Sequence, residues 1–426
     1  MKILIKNGRV VDPANNLDDI RDILVEGARI SKVAKDITFA ADETIDASGK
    51  IVAPGLIDMH VHLREPGRED KETVLTGTMA ALKGGFTTIL AMPNTQPAID
   101  SIENVNLLKD IIRETARANV LIAAAITRAR IGEEITDAAK LKKEGVIAVS
   151  DDGSSVESRE VFFKAMKKAK EARVLVICHS EDKALSASGV VNQGAVSTRL
   201  GLRGISNESE YKRVQRDIQL AEKTKCTIHI AHVSCAESVE IIAKAKKKGV
   251  KVSAETCPHY FTLTEEAARG YDTNMKMNPP LRSRKDKDAI IQGLKKGILD
   301  AISSDHAPHT VSEKEIEFDR AEFGATGLET ELAVSVTELI GKGVLDWSDL
   351  VVRMSVNPSR ILGIDKGSLT TGKAADIVII DPDKEWIVEK GGFVSKSKNS
   401  PFIGMKLKGL VEYTICAGKI AYKAGQ

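Results

Sequence analysis

Ile51-Val52-Ala53-Pro54-Gly55-Leu56-Ile57-Asp58-Met59-His60-Val61-His62-Leu63-Arg64-Glu65-Pro66-Gly67 is an apolar run that turns polar and breaks at Pro66-Gly67. It is too short for a buried helix and rich in β-formers, so it reads as a buried strand. Side chains two apart on a strand share a face, so His60 and His62 project together. Two converging neutral imidazoles at a strand end make half of a Zn²⁺ site. A bare His-x-His pair equally fits two unrelated histidines, one packed and one solvated. The rest of the chain decides between the two.

Downstream of this run, strand and helix alternate to about residue 358. Strand candidates are Leu56–His62, Thr87–Met92, Val120–Ile126, Val146–Ser150, Val174–His179, Thr227–Val233, Lys251–Thr256 and Ala301–Asp305. Helical periodicity falls between them: Val105, Leu108, Ile111 and Ile112 share one face, and Val161, Ala165 and Ala169 another. Eight βα units predict an α/β fold, a (β/α)₈ TIM-type barrel, with a doubly wound open sheet as the alternative. No repeat at a fixed period points to a solenoid. Upstream, Ile3-Leu-Ile, Arg9-Val-Val, Ile23-Leu-Val and Arg29-Ile-Ser-Lys-Val are separated by turn residues and predict a small antiparallel β unit. The C-terminus has the same texture in Ala375–Asp381, Lys384–Trp386, Val411–Ile415 and Ala417–Tyr422. The expected organisation is a small composite β domain from both termini (1–52 with 359–426) on a barrel spanning 53–358.

At 426 residues the chain is too long for one ordinary core but fits such a barrel with a small domain. Apolar content of 42% and charged content of 29% describe a soluble globular protein, and a net charge of +2 gives no reason to expect nucleic acid or an anionic membrane as partner. Lys246-Lys247-Lys248 reads as a solvated helix end. Met1–Arg9 lacks the apolar core of a signal peptide, and no stretch reaches ~18 apolar residues, so neither export nor a membrane span is expected. Five scattered Cys, none in C-x-x-C, suit reduced thiols in the cytoplasm and exclude a Cys₄ zinc site.

Active sites of (β/α)₈ barrels lie at the C-terminal strand ends. Those ends carry His60 and His62, Met92-Pro-Asn94-Thr, Ser150-Asp151-Asp152-Gly153, Cys178-His179-Ser, Ala231-His232-Val-Ser and Ser304-Asp305-His306-Ala-Pro-His309. Six of the chain's eight His fall in this set, which random placement would not produce. His229 and His232 are three apart, so only one enters the site; His232, nearer the strand end, is favoured and His229 reads as packed or helix-facing. Asp151 and Asp152 are adjacent, so one points in and the other caps a turn. His259 reads as a hydrogen-bonded structural histidine, and His306, facing away from Asp305, as a group that orients a neighbour.

This constellation resembles the amidohydrolase superfamily, within it the cyclic-amide hydrolases, and most closely the longer bacterial and archaeal dihydroorotases. The resemblance spans the whole chain. It rests on Pro54–Gly67, Gly84-Gly-Phe-Thr-Thr88, Met92-Pro-Asn-Thr95, Ser150–Gly153, Met277-Asn-Pro-Pro-Leu-Arg282, Ser304–His309, Phe323-Gly324, Gly327-Leu-Glu-Thr330, Asn357-Pro358 and Ala374-Ala-Asp-Ile-Val378. Many superfamily members bridge two metals with a carboxylated lysine after the fourth strand. Here Val146–Gly153 offers an aspartate instead, as in the longer dihydroorotases, where the second Asp is the ligand and maps to Asp152; allantoinases and hydantoinases usually keep the lysine.

The resemblance implies one or two Zn²⁺ per subunit, two favoured: a first held by His60, His62, Asp152 and Asp305, a second by His179, His232 and Asp152. It implies reversible hydrolysis of the ring amide of dihydroorotate to N-carbamoyl-L-aspartate in pyrimidine biosynthesis, with Asp305 as catalytic acid/base. Arg64, with Asn94 and His309, would grip the substrate carboxylate; His62, Asn278 and the backbone at Phe323-Gly324 complete the substrate contacts. Arg64 alone also fits a rim salt bridge. The charged stretch Val311–Glu322 reads as a mobile lid. The rival readings are an allantoinase or hydantoinase, whose flavour Thr256-Cys-Pro-His-Tyr260 carries, and a non-catalytic scaffold for aspartate transcarbamoylase. An active enzyme bound to aspartate transcarbamoylase, and a homodimer, are further expectations of the resemblance.

Overall fold

Eight parallel strands run in chain order through the computed structural model, which describes residues 1–425. They are β1 (Leu56–Val61), β2 (Phe86–Ala91), β3 (Asn119–Ala124), β4 (Ala148–Val149), β5 (Leu175–Cys178), β6 (Ile228–Ile230), β7 (Val252–Thr256) and β8 (Ala301–Ile302). Each pairs with its sequence neighbour. The ring is drawn together where Val61 bridges His306 in parallel and the His62 amide donates to the His306 carbonyl at 2.9 Å. This is the expected (β/α)₈ barrel, not an open sheet.

Ile57 and Met59, Leu90 and Met92, and Leu175 and Ile177 are alternate residues of three strands. They form one cluster with Ala123, Ala148, Ala231 and Ala301. Residues from all around the ring can meet only at its centre, so alternation delivers them to the lumen. The helices form where the 3.6 period placed them. Ser101 caps Ile102–Thr115, which buries Val105 and Leu108. Ser158 caps Arg159–Ala172, which buries Phe162, Ala165, Met166 and Ala169.

The chain's two ends build a second sheet. Its order is Lys419–Lys423, Lys406–Cys416, Ile377–Ile387, Ile51–Pro54, Lys2–Asp12, Leu17–Glu26 and Arg29–Ala34, with Glu43–Asp46 also on Lys2–Asp12. Most pairs are antiparallel, but Lys2–Asp12 pairs in parallel with both Glu43–Asp46 and Ile51–Pro54. Ile3, Ile5, Val10, Ile23, Val25, Ile377, Ile379 and Ile415 fill its own core. Ile51–Pro54 passes straight from this sheet into β1. The segment that closes the terminal sheet therefore also aims the first barrel strand. The five cysteines are free and buried. Among the described residues no helix is long and apolar enough to cross a membrane.

Candidate active site

Asp152 is the hub of the rim. Its Oδ1 lies 3.2 Å from His60 Nε2, 3.4 Å from His179 Nδ1 and 3.6 Å from His232 Nε2, and its Oδ2 lies 3.4 Å from His62 Nε2. Asp305 Oδ1 lies 3.1 Å from His62 Nε2 and 3.7 Å from His60 Nε2. The structure thus brings four imidazoles and two carboxylates into one buried cluster. His60, Asp152 and His232 form one triad of converging ligand atoms, and His60, His62 and Asp305 another. His60 Nε2 and Asp152 Oδ1 are buried without any hydrogen-bond partner. Orphaned polar atoms of this kind are costly unless something else ligates them, and a nitrogen–oxygen donor set suits a divalent cation such as Zn²⁺.

The charges agree. Burial would raise Asp152, but His60, His179 and His232 hold it well below the usual carboxylate range. Burial opposes a charge on His60, yet Asp152, Glu255 and Asp305 lift it well above its ordinary value. His179, against the same penalty, is pushed up to about 10 by Asp152 and Glu181. The carboxylates thus favour positive charge among the imidazoles, the same preference that would draw a divalent cation.

Each ligand is held from behind. His60 Nδ1 donates to Glu255 Oε1 at 2.8 Å, and Ser303 Oγ donates to Glu255 Oε2 at 2.6 Å. His62 Nδ1 donates to Asn94 Oδ1 at 2.7 Å. His179 Nε2 faces Glu181 Oε2 at 3.3 Å, and Asn278 Nδ2 donates to the same oxygen at 3.2 Å. With the outer nitrogens engaged, His60 and His62 present Nε2 and His179 presents Nδ1 to the cluster.

Three site residues owe their aim to backbone conformation rather than strand alternation. Arg64, His232 and Asp305 all adopt positive φ, at 62°, 35° and 48°. β1, β6 and β8 end at Val61, Ile230 and Ile302, before these residues. His232 enters the site through this left-handed turn, not through the strand geometry that the spacing suggested. Left-handed conformations at non-glycine residues cost of order 1–3 kcal/mol each and cluster where function requires them. His229 is packed, its Nδ1 2.8 Å from Ser253 Oγ and its Nε2 3.1 Å from Glu255. Asp151 caps the turn after β3, accepting from the amides of Ile126 and Thr127 at 2.8 and 3.1 Å.

Beside the cluster lies a cationic pocket. Arg64 Nε donates to the Pro308 carbonyl at 3.1 Å, and its terminal nitrogen lies 3.3 Å from His309 Nε2. His309 Nε2 donates to the Phe323 carbonyl at 2.8 Å, so its Nδ1 is free to accept from Lys71 Nζ at 3.1 Å. Burial, Arg64 and Lys71 press His309 down to about 2, leaving it neutral. Among the described residues no carboxylate lies within 4.0 Å of the Arg64 guanidinium. It is therefore not the rim salt bridge that its position also allowed.

The stretch expected as a lid is anchored at its start. Glu313 pairs with Arg68 at 2.8 Å and Lys71 at 2.9 Å, and buried Lys314 donates to the carbonyls of Glu322 and Gly324 at 2.9 and 3.0 Å. His306 turns away from the cluster, its Nε2 on Glu72 at 3.1 Å and its Nδ1 accepting from the Gly327 amide at 3.2 Å.

The Dihydro-orotase-like family model matches residues 49–238. The dihydroorotase of Elusimicrobium minutum is 54% identical over 425 residues, covering 100% of this chain and 98% of that protein. This chain belongs to the dihydroorotase family. The dihydroorotase of Geotalea daltonii is 50% identical across 99% of this chain and all of that one. Among solved structures, the L-hydantoinase (dihydropyrimidinase) of Arthrobacter aurescens superposes with a TM-score of 0.90 at 26% identity, covering 100% of this chain and 96% of that one. The dihydropyrimidinase of Brevibacillus agri gives 0.87 at 26% over the same shares. The barrel with its terminal sheet is thus shared with hydantoinases, while whole-length identity near half lies with dihydroorotases.

Several contributors escape sequence reasoning. Glu255 had a signal, since it is an acid near the C-terminal end of β7 (Val252–Thr256). Glu181, two residues beyond His179, had a weaker one. Lys71 and Glu72 sit in a loop, with no periodicity to mark them.

His259 is buried, its Nε2 has no partner, and its ring packs edge-on against Tyr260 at 4.1 Å. Burial holds it down to about 4 from an ordinary 6.5. Above 6.5 the folded and unfolded chains both carry it neutral, and it contributes nothing. Below 6.5 only the unfolded chain takes the proton, so stability falls as pH drops toward 4. In metal-free protein, the wild type should lose about 2 kcal/mol more than His259→Asn between about pH 7.5 and about pH 5. Denaturant titrations at both values measure this; equal losses would refute it.

Proposed function

We propose that this chain is a dihydroorotase, hydrolysing the ring amide of (S)-dihydroorotate reversibly to N-carbamoyl-L-aspartate in pyrimidine biosynthesis. The observation that carries the reading is Arg64, a guanidinium beside the ligand cluster with no carboxylate partner of its own. A half-buried cation without an anion is poorly satisfied, and an anionic substrate supplies the missing charge through two parallel hydrogen bonds. Hydantoin and allantoin carry no carboxylate to answer it. All six ligand positions converge on one centre, which a non-catalytic scaffold would have no reason to keep.

In this reading Zn²⁺ is held by His60, His62, Asp152 and Asp305, and a second ion by His179, His232 and Asp152. Bound there, zinc supplies a Lewis acid for the amide carbonyl and lowers the pKa of the attacking water. Asp305 does the proton work. Burial would raise it, but His62 and His60 keep it down at about 2, so it stands ionised, ready to accept the water's proton. It then delivers that proton to the leaving ring nitrogen. In the synthetic direction, protonated Asp305 assists ring closure.

Arg64, Asn94 and His309 orient the substrate carboxylate. His62, Asn278 and the backbone of Phe323-Gly324 hold the ring amides. Glu255 and Asn94 fix the ligand imidazoles, so the carboxylates meet them in one tautomer. Residues 53–358 form the catalytic barrel, and 1–52 with 359–426 act as one composite domain on it. The five buried free thiols support a cytoplasmic site of action. A homodimer and an association with aspartate transcarbamoylase complete the reading, and sizing the chain alone and mixed with transcarbamoylase tests both.

Steady-state assays on dihydroorotate, hydantoin and allantoin test the substrate. Rapid turnover of allantoin or hydantoin with negligible turnover of dihydroorotate would overturn the assignment. Within the same assay, Arg64→Met should raise KM for dihydroorotate at least ~10-fold, since charge-assisted pairs are worth about 1.5–3 kcal/mol. An unchanged KM would remove Arg64 from the carboxylate site.

A further inference from the structure

Ser395-Lys396-Ser397-Lys398-Asn399 leaves the terminal sheet between Ile377–Ile387 and Lys406–Cys416 and crosses to the barrel rim. Its burial alternates: Ser395, Ser397 and Asn399 are buried, while Lys396 is exposed and Lys398 is half-buried, its Nζ donating back to the Ser395 carbonyl at 2.7 Å. An extended segment that buries its polar side chains needs polar partners. It finds them on three separate loops of the barrel.

Ser395 Oγ donates to Glu72, and the Lys396 amide donates to Glu72 Oε1 at 3.1 Å. Ser397 Oγ donates to the Lys71 carbonyl at 2.7 Å. Asn399 makes the densest set. Its Oδ1 accepts from the His309 amide at 3.2 Å, and its Nδ2 donates to the carbonyls of Gly324 at 3.2 Å and Ala307 at 3.4 Å. Its own carbonyl accepts from the Thr326 amide at 3.0 Å. The two stretches that it spans are in direct contact. Gly324 has φ +130°, and a Cβ there would lie 2.7 Å from Ala307 Cβ and 3.2 Å from His309 Nε2.

We propose that Asn399 is a positioning residue for substrate binding: one side chain ties His309 to Gly324, fixing the distance between the group that meets the substrate carboxylate and the backbone that meets its ring. The inference rests on the reading of those two residues as substrate contacts. It makes the terminal domain part of the binding site, although none of its side chains need touch the substrate. Asn399 bonds neither Asp152 nor Asp305, and its side-chain partners are the backbone of Ala307, His309 and Gly324, so its loss should act on binding and leave the chemical step and metal retention alone.

The experiment uses the full-length, zinc-loaded enzyme and compares wild type with Asn399→Ala and Asn399→Ser. Loss of three buried side-chain hydrogen bonds should raise KM for dihydroorotate at least ~10-fold while kcat stays within about 3-fold. Zinc per subunit after dialysis against a weak chelator should match the wild type. Asn399→Ser retains a buried polar group and serves where alanine lowers the melting temperature; it should show the same rise in KM. An unchanged KM in both variants overturns the proposal, as does a fall in kcat and zinc content at constant KM. Failure of the dihydroorotase reading would show differently, as absence of dihydroorotate turnover in the wild type.

Discussion

Removing the carboxylate of Asp305 is expected to lower kcat at least ~10³-fold while the chain keeps its fold, since under the proposed function a general base and a metal ligand disappear together. The direction follows from geometry. Asp305 Oδ1 is the atom nearest His62 Nε2, at 3.1 Å, and His62 and His60 keep the acid ionised. Among the described residues the one other carboxylate against Nε2 of both imidazoles is Asp152. Asp152 is already shared among four rings.

The choice of variant matters because Asp305 has φ 48°. Asp and Asn adopt the left-handed region more readily than alanine. Asp305→Asn therefore preserves the backbone and removes only the charge, whereas Asp305→Ala adds strain to the loss. Both should show the drop in kcat, measured in the hydrolytic and synthetic directions, and Asp305→Asn should melt within a few degrees of wild type. Near-wild-type turnover of either variant would refute the assigned role.

The contrast between strand-born and turn-born residues explains how far the sequence could be read. His60 and His62 were legible because residues two apart on a strand share a face, and their rings do lie 5.3 Å apart, although it takes the register shift between Asp58 and Val61 to bring them to the lumen that Ile57 and Met59 also occupy. The eight strands were legible because each is a short β-rich run between helical stretches, although several end one to three residues earlier than their apolar content suggests. That shortening hides the rest. Arg64, His232 and Asp305 lie beyond their strands, and their directions come from φ values that no hydrophobic pattern encodes. His229 was read as packed or helix-facing and is packed, but its partner Glu255 comes from a different strand and could not be read from spacing. Lys71 and Asn399 reach the site across 238 and 90 residues of sequence from His309, through loops whose path is fixed only by the assembled barrel and terminal sheet.

Asp152 and Asp305 are both carboxylates in one cluster, yet substitution should separate them. Asp152→Asn is expected to abolish metal binding as well as turnover, with kcat falling ~10⁴-fold or more. Asp152 offers both oxygens: Oδ1 toward His60, His179 and His232, and Oδ2 toward His62. An amide keeps one acceptor oxygen and no charge, so it cannot bridge two cations. It also leaves His60 and His179 without the anion that raises them. A buried cluster stripped of its counter-charge is strongly disfavoured, and the imidazoles lose the arrangement that presents their lone pairs inward. Zinc analysis of protein purified without chelator should therefore find less than one ion per subunit in Asp152→Asn, and at least one retained in Asp305→Asn. Zinc affinity of the wild type should also fall between about pH 8 and about pH 6, because protons that the carboxylates hold on the imidazoles must leave before a metal can bind. Full zinc occupancy in Asp152→Asn would mean that the four histidines and Asp305 suffice without it. The aspartate after the fourth strand would then be only a neighbour of the metal centre, and not the group around which that centre is built.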